Sequence, residues 1–217
     1  LANLKTIPTL TLEEDRKYHK EMSKLAAFIL KLHGWKVDPV IPKESDRSVM
    51  IAAPHTTNWD FYFMMLTFWA LKVPVRFTIK DNWTKFPFGL VTKPIGAIAI
   101  NRRPKKPGEP RKSYVESMID IFKKYDRIAV AVTPEGTRAL RTEWKMGFYH
   151  TAVGAGVPIT FGYLDFKHKR SGVGGVVYPT GNMKEDFKVI NDFYRTVHPK
   201  YPELWSLDVR YDEEQKR

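Results

Sequence analysis

The sequence predicts an α/β fold: a single domain with a largely parallel central sheet flanked by helices, plus an N-terminal amphipathic helix. Three observations lead there. Short apolar runs of strand length alternate with longer segments of helical periodicity. Three strand ends open directly into loops carrying His55, Arg102 and Glu135, and function in parallel sheets gathers in such loops. A hydrophobic content of 43% over 217 residues suffices for one substantial core.

The elements follow in order. Residues 1–11 read as an irregular arm. A helix begins at Thr11, with Glu13, Glu14 and Asp15 in its first turn and Gly34 as its stop. Tyr18, Met22, Leu25, Ala26, Ile29 and Leu32 recur on it at helical spacing, flanked by Lys17, Lys20, Lys24 and Lys31. That pattern suits packing on the domain or lying in a membrane interface. Residues 38–47 form a proline-containing linker, which sets a boundary between 1–37 and a main domain at 38–217. Residues 48–53 are a buried strand, and 61–71 a helix apolar almost all round. Strands follow at 75–79 and 95–100, separated by a Trp-, Phe- and Lys-rich stretch, 82–94, read as a short amphipathic helix plus loop. A basic loop with Arg102, Arg103, Lys105 and Lys106 leads to a helix marked by Val115, Met118, Ile119 and Phe122. A strand at 128–132, a helix at 144–155 and strands at 157–164 and 173–178 come next, the last two flanking a basic tip at 167–170. Met183, Phe187, Ile190 and Tyr194 define a final helix, and the polar tail is expected to fray.

The bulk charge narrows the partners. The net charge is +12 and the pI about 9.7, which favours an anionic partner: nucleic acid, an anionic membrane surface or an acidic carrier protein. No nucleic-acid-binding motif is present and the lysines are scattered, so nucleic acid is not expected as a partner. The absence of cysteine rules out disulfides and cysteine-ligated metals. No apolar run approaches the roughly 20 residues a spanning helix needs, and no signal peptide is evident at the start.

The chemistry centres on the segment from Pro54 to Asp60, a strand-to-helix turn carrying one imidazole and one carboxylate. On a continuous helix His55 and Asp60 would stand about 140° apart. They meet only if His55 sits in the turn and Asp60 opens the helix, with Thr57 or Asn58 as N-cap. Asp60 could then accept a hydrogen bond from one ring nitrogen and leave the other as a general base. A helix cap beside an uninvolved histidine would show the same spacing. A serine hydrolase would need a Gly-x-Ser-x-Gly elbow, which the chain lacks.

The order of four segments adds weight. His55-Thr56-Thr57-Asn58-Trp59-Asp60 resembles the first sequence block of the glycerolipid acyltransferases, the family that includes 1-acylglycerol-3-phosphate acyltransferase. Gly96 through Arg102 resembles the second, Pro134-Glu135-Gly136-Thr137-Arg138 the third and Val157-Pro158-Ile159 the fourth, all in family order. The resemblance implies transfer of a fatty acyl group from acyl-CoA or acyl carrier protein to a lysophospholipid hydroxyl. It implies no cofactor, metal or covalent acyl-enzyme. His55 would be the base and Asp60 its orienting acid, while Arg102, Glu135, Gly136, Thr137 and Arg138 would bind the phosphorylated acceptor. Gly136 would let the backbone approach the ligand, and Glu135 would bond an acceptor hydroxyl or position Arg138. Such an enzyme is expected as a peripheral or monotopic protein on the cytoplasmic face of the membrane. Pro54, Ala99 and Thr160 depart from the family pattern, where Asn, Phe and Pro are common. The reaction class survives these changes; the acceptor, 1-acylglycerol-3-phosphate by default, could be another lysolipid or an amino-acid-linked lipid.

Overall fold

The computed structural model describes residues 12–100 and 112–212, with side chains from Met22 onward. Its elements run α1 (Leu12–Leu32), β1 (Lys36–Val37), β2 (Arg47–Ala53), α2 (Asn58–Ala70), β3 (Val75–Lys80), α3 (Gly89–Thr92) and β4 (Ala97–Ile100). They continue with α4 (Tyr114–Phe122), β5 (Ile128–Val132), α5 (Gly147–Ala155), β6 (Ile159–Asp165), β7 (Arg170–Val177) and α6 (Met183–Tyr194).

The strands form one seven-stranded sheet in the order β1-β7-β6-β2-β5-β3-β4. Central β2 pairs in parallel with β5 on one side and β6 on the other. Among the described strands only the β6–β7 pair is antiparallel, because residues 166–169 turn the chain back as a hairpin. Alternation along β2 separates two cores. Val49, Ile51 and Ala53 pack with α4, α5 and α6, whereas Met50 packs with α1 and α2. The result is three layers, with the sheet buried on both faces as a parallel sheet must be.

Connectivity positions the site. The chain leaves β2 through α2 towards β3, and leaves neighbouring β5 through α5 towards β6. The two exits run in opposite directions over opposite faces. A crevice therefore opens at the carboxyl ends of β2 and β5, the place where open α/β sheets bind ligands.

Three expectations need correction. The stretch 82–94, read as a short amphipathic helix plus loop, holds only the four-residue α3 and the end of a 3-10 turn, Asp81–Thr84, joined through Pro87. The helix expected from Trp144 begins only at Gly147. Trp144 and Lys145 still point their amides elsewhere, to Asp208 Oδ2 at 3.0 Å and to the Pro134 carbonyl at 2.8 Å. The polar tail does not fray through its described part. Asp208 is fully buried, bonds Arg210 at 2.6 Å and holds Trp144, while buried Asp212 pairs with Arg195 at 3.1 Å. Carboxylates spaced along a polar tail read as solvated, but here each meets a partner from the body of the domain.

Gly162 shows how tightly β6 is packed. A Cβ there would lie 2.8 Å from Phe68 Cζ and 3.0 Å from the Ile51 carbonyl oxygen. Gly162→Ala is expected to lower the unfolding free energy by about 1–3 kcal/mol, the usual cost of overpacking a filled core. Urea denaturation reads it; an unchanged midpoint would show that Phe68 moves aside freely.

Candidate active site

The His55 turn is held by its backbone from two directions. Thr57 caps α2 and forms a capping box with Asp60, as Thr-x-x-Asp spacing allows. Asp60 Oδ2 accepts the amides of Thr56 at 2.6 Å and Thr57 at 2.8 Å. From β5's end, Glu135 Oε1 accepts the His55 amide at 3.0 Å. Pairing of Ile51 with Val132 sets these strand ends side by side, so the third block reaches the first without a long loop. The imidazole itself is left one-fifth exposed, at 20%, while Asp60 beneath it is 3% exposed. An exposed ring over a buried acid can meet a substrate while its partner stays out of water.

The ring does not bond Asp60 as directly as the spacing suggests. His55 Nδ1 lies 3.6 Å from Asp60 Oδ2, a charge contact rather than a formed hydrogen bond. The same oxygen already serves two backbone amides. Small rotation of the ring would close the gap, as catalytic pairs commonly do only once substrate is bound.

The Glu135 carboxylate turns inward to the His55 amide and is 4% exposed; of the two roles the resemblance implies, it does not position Arg138, whose bond goes to Asn58. Burial pushes its acid up to about 7, opposed by its own backbone and by the His55 side, and reinforced by the Asp60 charge. Its second oxygen, Asp60 Oδ1 and the Thr56 hydroxyl are buried without a protein partner. Three unpaired oxygens around one turn mark it as polar ground kept for something other than stability.

Gly136 reverses the loop after Glu135 with φ +65°, a conformation glycine adopts without strain. Thr137 Oγ1 accepts the Ala139 amide at 3.3 Å, so it shapes the turn. Exposed Arg138 then donates through Nη1 to Asn58 Oδ1 on the first turn of α2, beside the histidine. Asn58, read from sequence only as a candidate N-cap, links the first and third blocks, and Thr57 takes the cap. Arg102 lies outside the described residues, but β4 ends at Ile100 on the same sheet edge. Val157-Pro158-Ile159 leads into β6. There Thr160, where the family pattern favours proline, bonds Ser48 across to β2 at 2.8 Å and supports the strand rather than touching the crevice.

Beside the turn runs an apolar cleft of about 550 Å³, lined by Phe61, Phe77, Ile79, Trp83 and Ile95 among others. Phe61 stacks edge-on against Phe77 at 5.0 Å, which seats the first turn of α2 on the cleft wall. Helix α2, apolar almost all round, turns Phe63 to Phe68 into the core and leaves Phe61, on the cleft wall, 43% exposed.

A strand-end histidine over a buried acid, an exposed arginine and an apolar cleft come together at this edge of the sheet. The acyltransferase family model matches residues 31–160, more than half of the 217, and the chain belongs to that family. No curated protein matches it significantly. A solved structure similar in fold is the 1-acyl-sn-glycerophosphate (LPA) acyltransferase PlsC from Thermotoga maritima. It is 15% identical, with a TM-score of 0.54, covering 84% of this chain and 79% of that one. At that identity the likeness shows the α/β fold, and the family match makes the protein an acyltransferase.

Glu135 offers a test of the buried turn. Its acid rises from the ordinary 4.5 to about 7, so the folded state holds a proton that the unfolded state has lost between those values. Stability contributed by this group therefore falls as pH rises from 4.5 to 7, by roughly 3 kcal/mol in all. Glu135→Gln keeps an acceptor for the His55 amide and cannot ionise. Relative to wild type it should gain about 3 kcal/mol more at pH 8 than at pH 5 in urea unfolding. A difference that does not change with pH would mean Glu135 titrates as an ordinary carboxylate.

Proposed function

We propose that this acyltransferase moves a fatty acyl group from a thioester, on coenzyme A or acyl carrier protein, to the hydroxyl of a lysophospholipid, 1-acylglycerol-3-phosphate by default. The observation that carries the reading is the His55 ring, held open at the β2–β5 crevice with Asp60 behind it and Arg138 beside it. An alcohol is a poor nucleophile at neutral pH. His55 would take its proton as the oxygen attacks the thioester carbonyl, and Asp60 would stabilise the imidazolium that forms. When the tetrahedral adduct collapses, the C–S bond breaks and the imidazolium returns the proton to the departing sulfur. Acyl group, proton and thiol are then all accounted for, and His55 is neutral again.

The surroundings suit an amphiphile. Arg138 can release Asn58 to give a forked pair of donors to a phosphate; Arg102, outside the described residues, is the second arginine that the family resemblance assigns to the acceptor. The apolar cleft suits the acyl chain. Membrane attachment follows from exposed apolar side chains. On α1 the helical stripe divides: Ala26 and Leu30 are buried and Ile29 packs on the core, but Leu25, Phe28 and Leu32 are 52%, 58% and 69% exposed. The stretch near α3 adds Trp83, Phe86, Phe88, Leu90 and Val91, all more than half exposed. No described helix is long and apolar enough to cross a membrane. Exposed Lys24 and Lys31 on α1 would contribute about 1 kcal/mol each at an anionic surface. We place the enzyme as a monotopic protein on the cytoplasmic membrane face.

A panel of lysolipid acceptors with acyl-coenzyme A and acyl carrier protein donors, read by mass spectrometry, tests the reaction. His55→Ala should lower turnover by about 10²–10⁴ with the fold intact. Asp60→Asn should cost less, because an amide oxygen can still cap Thr56 and Thr57. Arg138→Ala should raise KM for the phosphorylated acceptor and leave kcat nearly unchanged. Near-wild-type turnover in His55→Ala would remove the base from the mechanism.

Membrane attachment is tested separately. Leu25, Phe28 and Leu32 replaced together by Ser should weaken sedimentation with anionic vesicles while the melting temperature holds. Salt should weaken only the lysine contribution. A collapsed melting temperature would show that this face packs on protein.

A further inference from the structure

We propose that Asp165, His168 and His198 form a binding site for a divalent transition-metal ion of the zinc class. The three residues belong to the end of β6, the hairpin tip and the segment after α6. Their ligand atoms lie within 4.8 Å of one another. Asp165 Oδ2 is 2.7 Å from His168 Nδ1 and 3.4 Å from His198 Nδ1. Two ligand atoms in one tetrahedral zinc shell, with bonds of about 2.0–2.2 Å, stand about 3.3 Å apart. The His198 separation already has that value, and the His168 ring must open by about half an ångström.

The backbone around the cluster is built in advance. Asp165 Oδ1 accepts the His168 amide at 3.2 Å, which turns the other oxygen towards both rings. The Phe166 amide donates to the His198 carbonyl at 2.9 Å, tying the two segments together one residue from the ligands. The two imidazoles stand edge to face at 5.1 Å, so their nitrogens converge without the rings clashing. Asp165 is 7% exposed, while His168 and His198 are about half exposed, with side-chain values of 52% and 43%. A cleft of about 520 Å³, lined in part by Asp165 and His168, leads solvent to them. An ion can enter, and water can complete its shell.

The charge around the site decides which ion. Lys167 and Lys169 share the hairpin tip, and Arg170 is paired with Asp38 at 2.7 Å. One carboxylate among these cations cannot hold a hard ion such as magnesium or calcium. Imidazole nitrogens can hold zinc, cobalt or nickel, whose bonds to nitrogen do not depend on charge alone. On loading, each ring would move its proton to Nε2 and turn Nδ1 from donor to ligand, staying neutral. The cluster also sits on the catalytic edge: Tyr163 pairs with Ala53, so Asp165 ends the strand next to the one that leads to His55. A bound ion would clamp the segment after α6 to that edge.

The alternative is a hydrogen-bonded Asp–His–His group with no ion, and asparagine separates the two. An Asn amide reaches the position of Nδ1 and can donate to Asp165, but ligates zinc poorly. The untagged full-length chain is titrated with Zn²⁺ by calorimetry and with Co²⁺ by visible absorption. One ion per chain and intense Co²⁺ bands are expected. His168→Asn and His198→Asn should each weaken binding more than 100-fold, beyond the roughly 10–100-fold that loss of an outer hydrogen-bond partner costs. His150→Asn, at an exposed histidine elsewhere, should change nothing. Zn²⁺ should raise the melting temperature of wild type and not of the double Asn variant. Should His198→Asn fail to fold, His168→Ala at the exposed tip gives the same reading. No stoichiometric binding, equal binding in the double variant, or Mg²⁺ bound as tightly as Zn²⁺ would each overturn the site.

Discussion

The amide of His55 donates to a carboxylate that arrives from the neighbouring strand, and the next two amides donate to a carboxylate at the start of the helix that follows. Without these bonds the turn between β2 and α2 would have three successive N–H groups facing a largely buried crevice. Each would lack a partner at about 1–3 kcal/mol. With them, the ring direction is set by backbone rather than by ring contacts. That leaves one ring nitrogen open to the crevice while Nδ1 stays 3.6 Å from Asp60 Oδ2, the arrangement the proposed base needs.

The β2–β5 register carries this arrangement. Ile51 opposite Val132 puts Glu135 close to level with His55, three residues beyond Val132 against four beyond Ile51. A one-residue slip would turn Val49, Ile51 and Ala53 from one core to the other and move the carboxylate off the His55 amide. Packing therefore protects the chemistry. Tyr194 contributes from the opposite layer. Its hydroxyl, fully buried, reaches the carbonyls of Ile51 at 3.3 Å and Gly162 at 3.0 Å, beside the bend where β2 gives way to the turn.

Much of this was legible in the sequence for identifiable reasons. Strands at 128–132 and in the 48–53 run were bounded by turns and apolar on both faces, so burial and period agreed. Thr57-x-x-Asp60 stated its cap outright. What sequence could not supply was direction and distance. Glu135 reads as reaching an acceptor hydroxyl or Arg138; only the β2–β5 pairing shows the His55 amide waiting for it. The α1 stripe mixed two faces, since Leu25, Phe28 and Leu32 follow i, i+3, i+7 spacing as faithfully as the buried row does. Asp165 and His168 lie near each other in the chain, but His198 joins them only through the fold. The helix expected from Trp144 starts at Gly147, and the Trp144 amide meets a tail residue, Asp208, that the sequence could not place beside it.

The loop after β5 divides labour over a few residues, and its backbone explains how. Glu135 points inward, and an acid so placed is tolerable only where an amide and a nearby imidazole offset part of its burial. Two residues later the chain must present a cation outward. A continuous extended strand would set residues 135 and 137 on one face and 138 on the other, with no change of depth. Gly136 in the left-handed region turns the chain sharply, and the Thr137 hydroxyl fastens the new direction by accepting the Ala139 amide. Arg138 thus emerges at solvent beyond the residue that holds the His55 amide, bound to Asn58 on the first turn of α2. Acid and cation are kept apart by depth rather than by sequence distance. Had they paired with each other, the guanidinium would have been neutralised and drawn inward, and the His55 amide left without its acceptor.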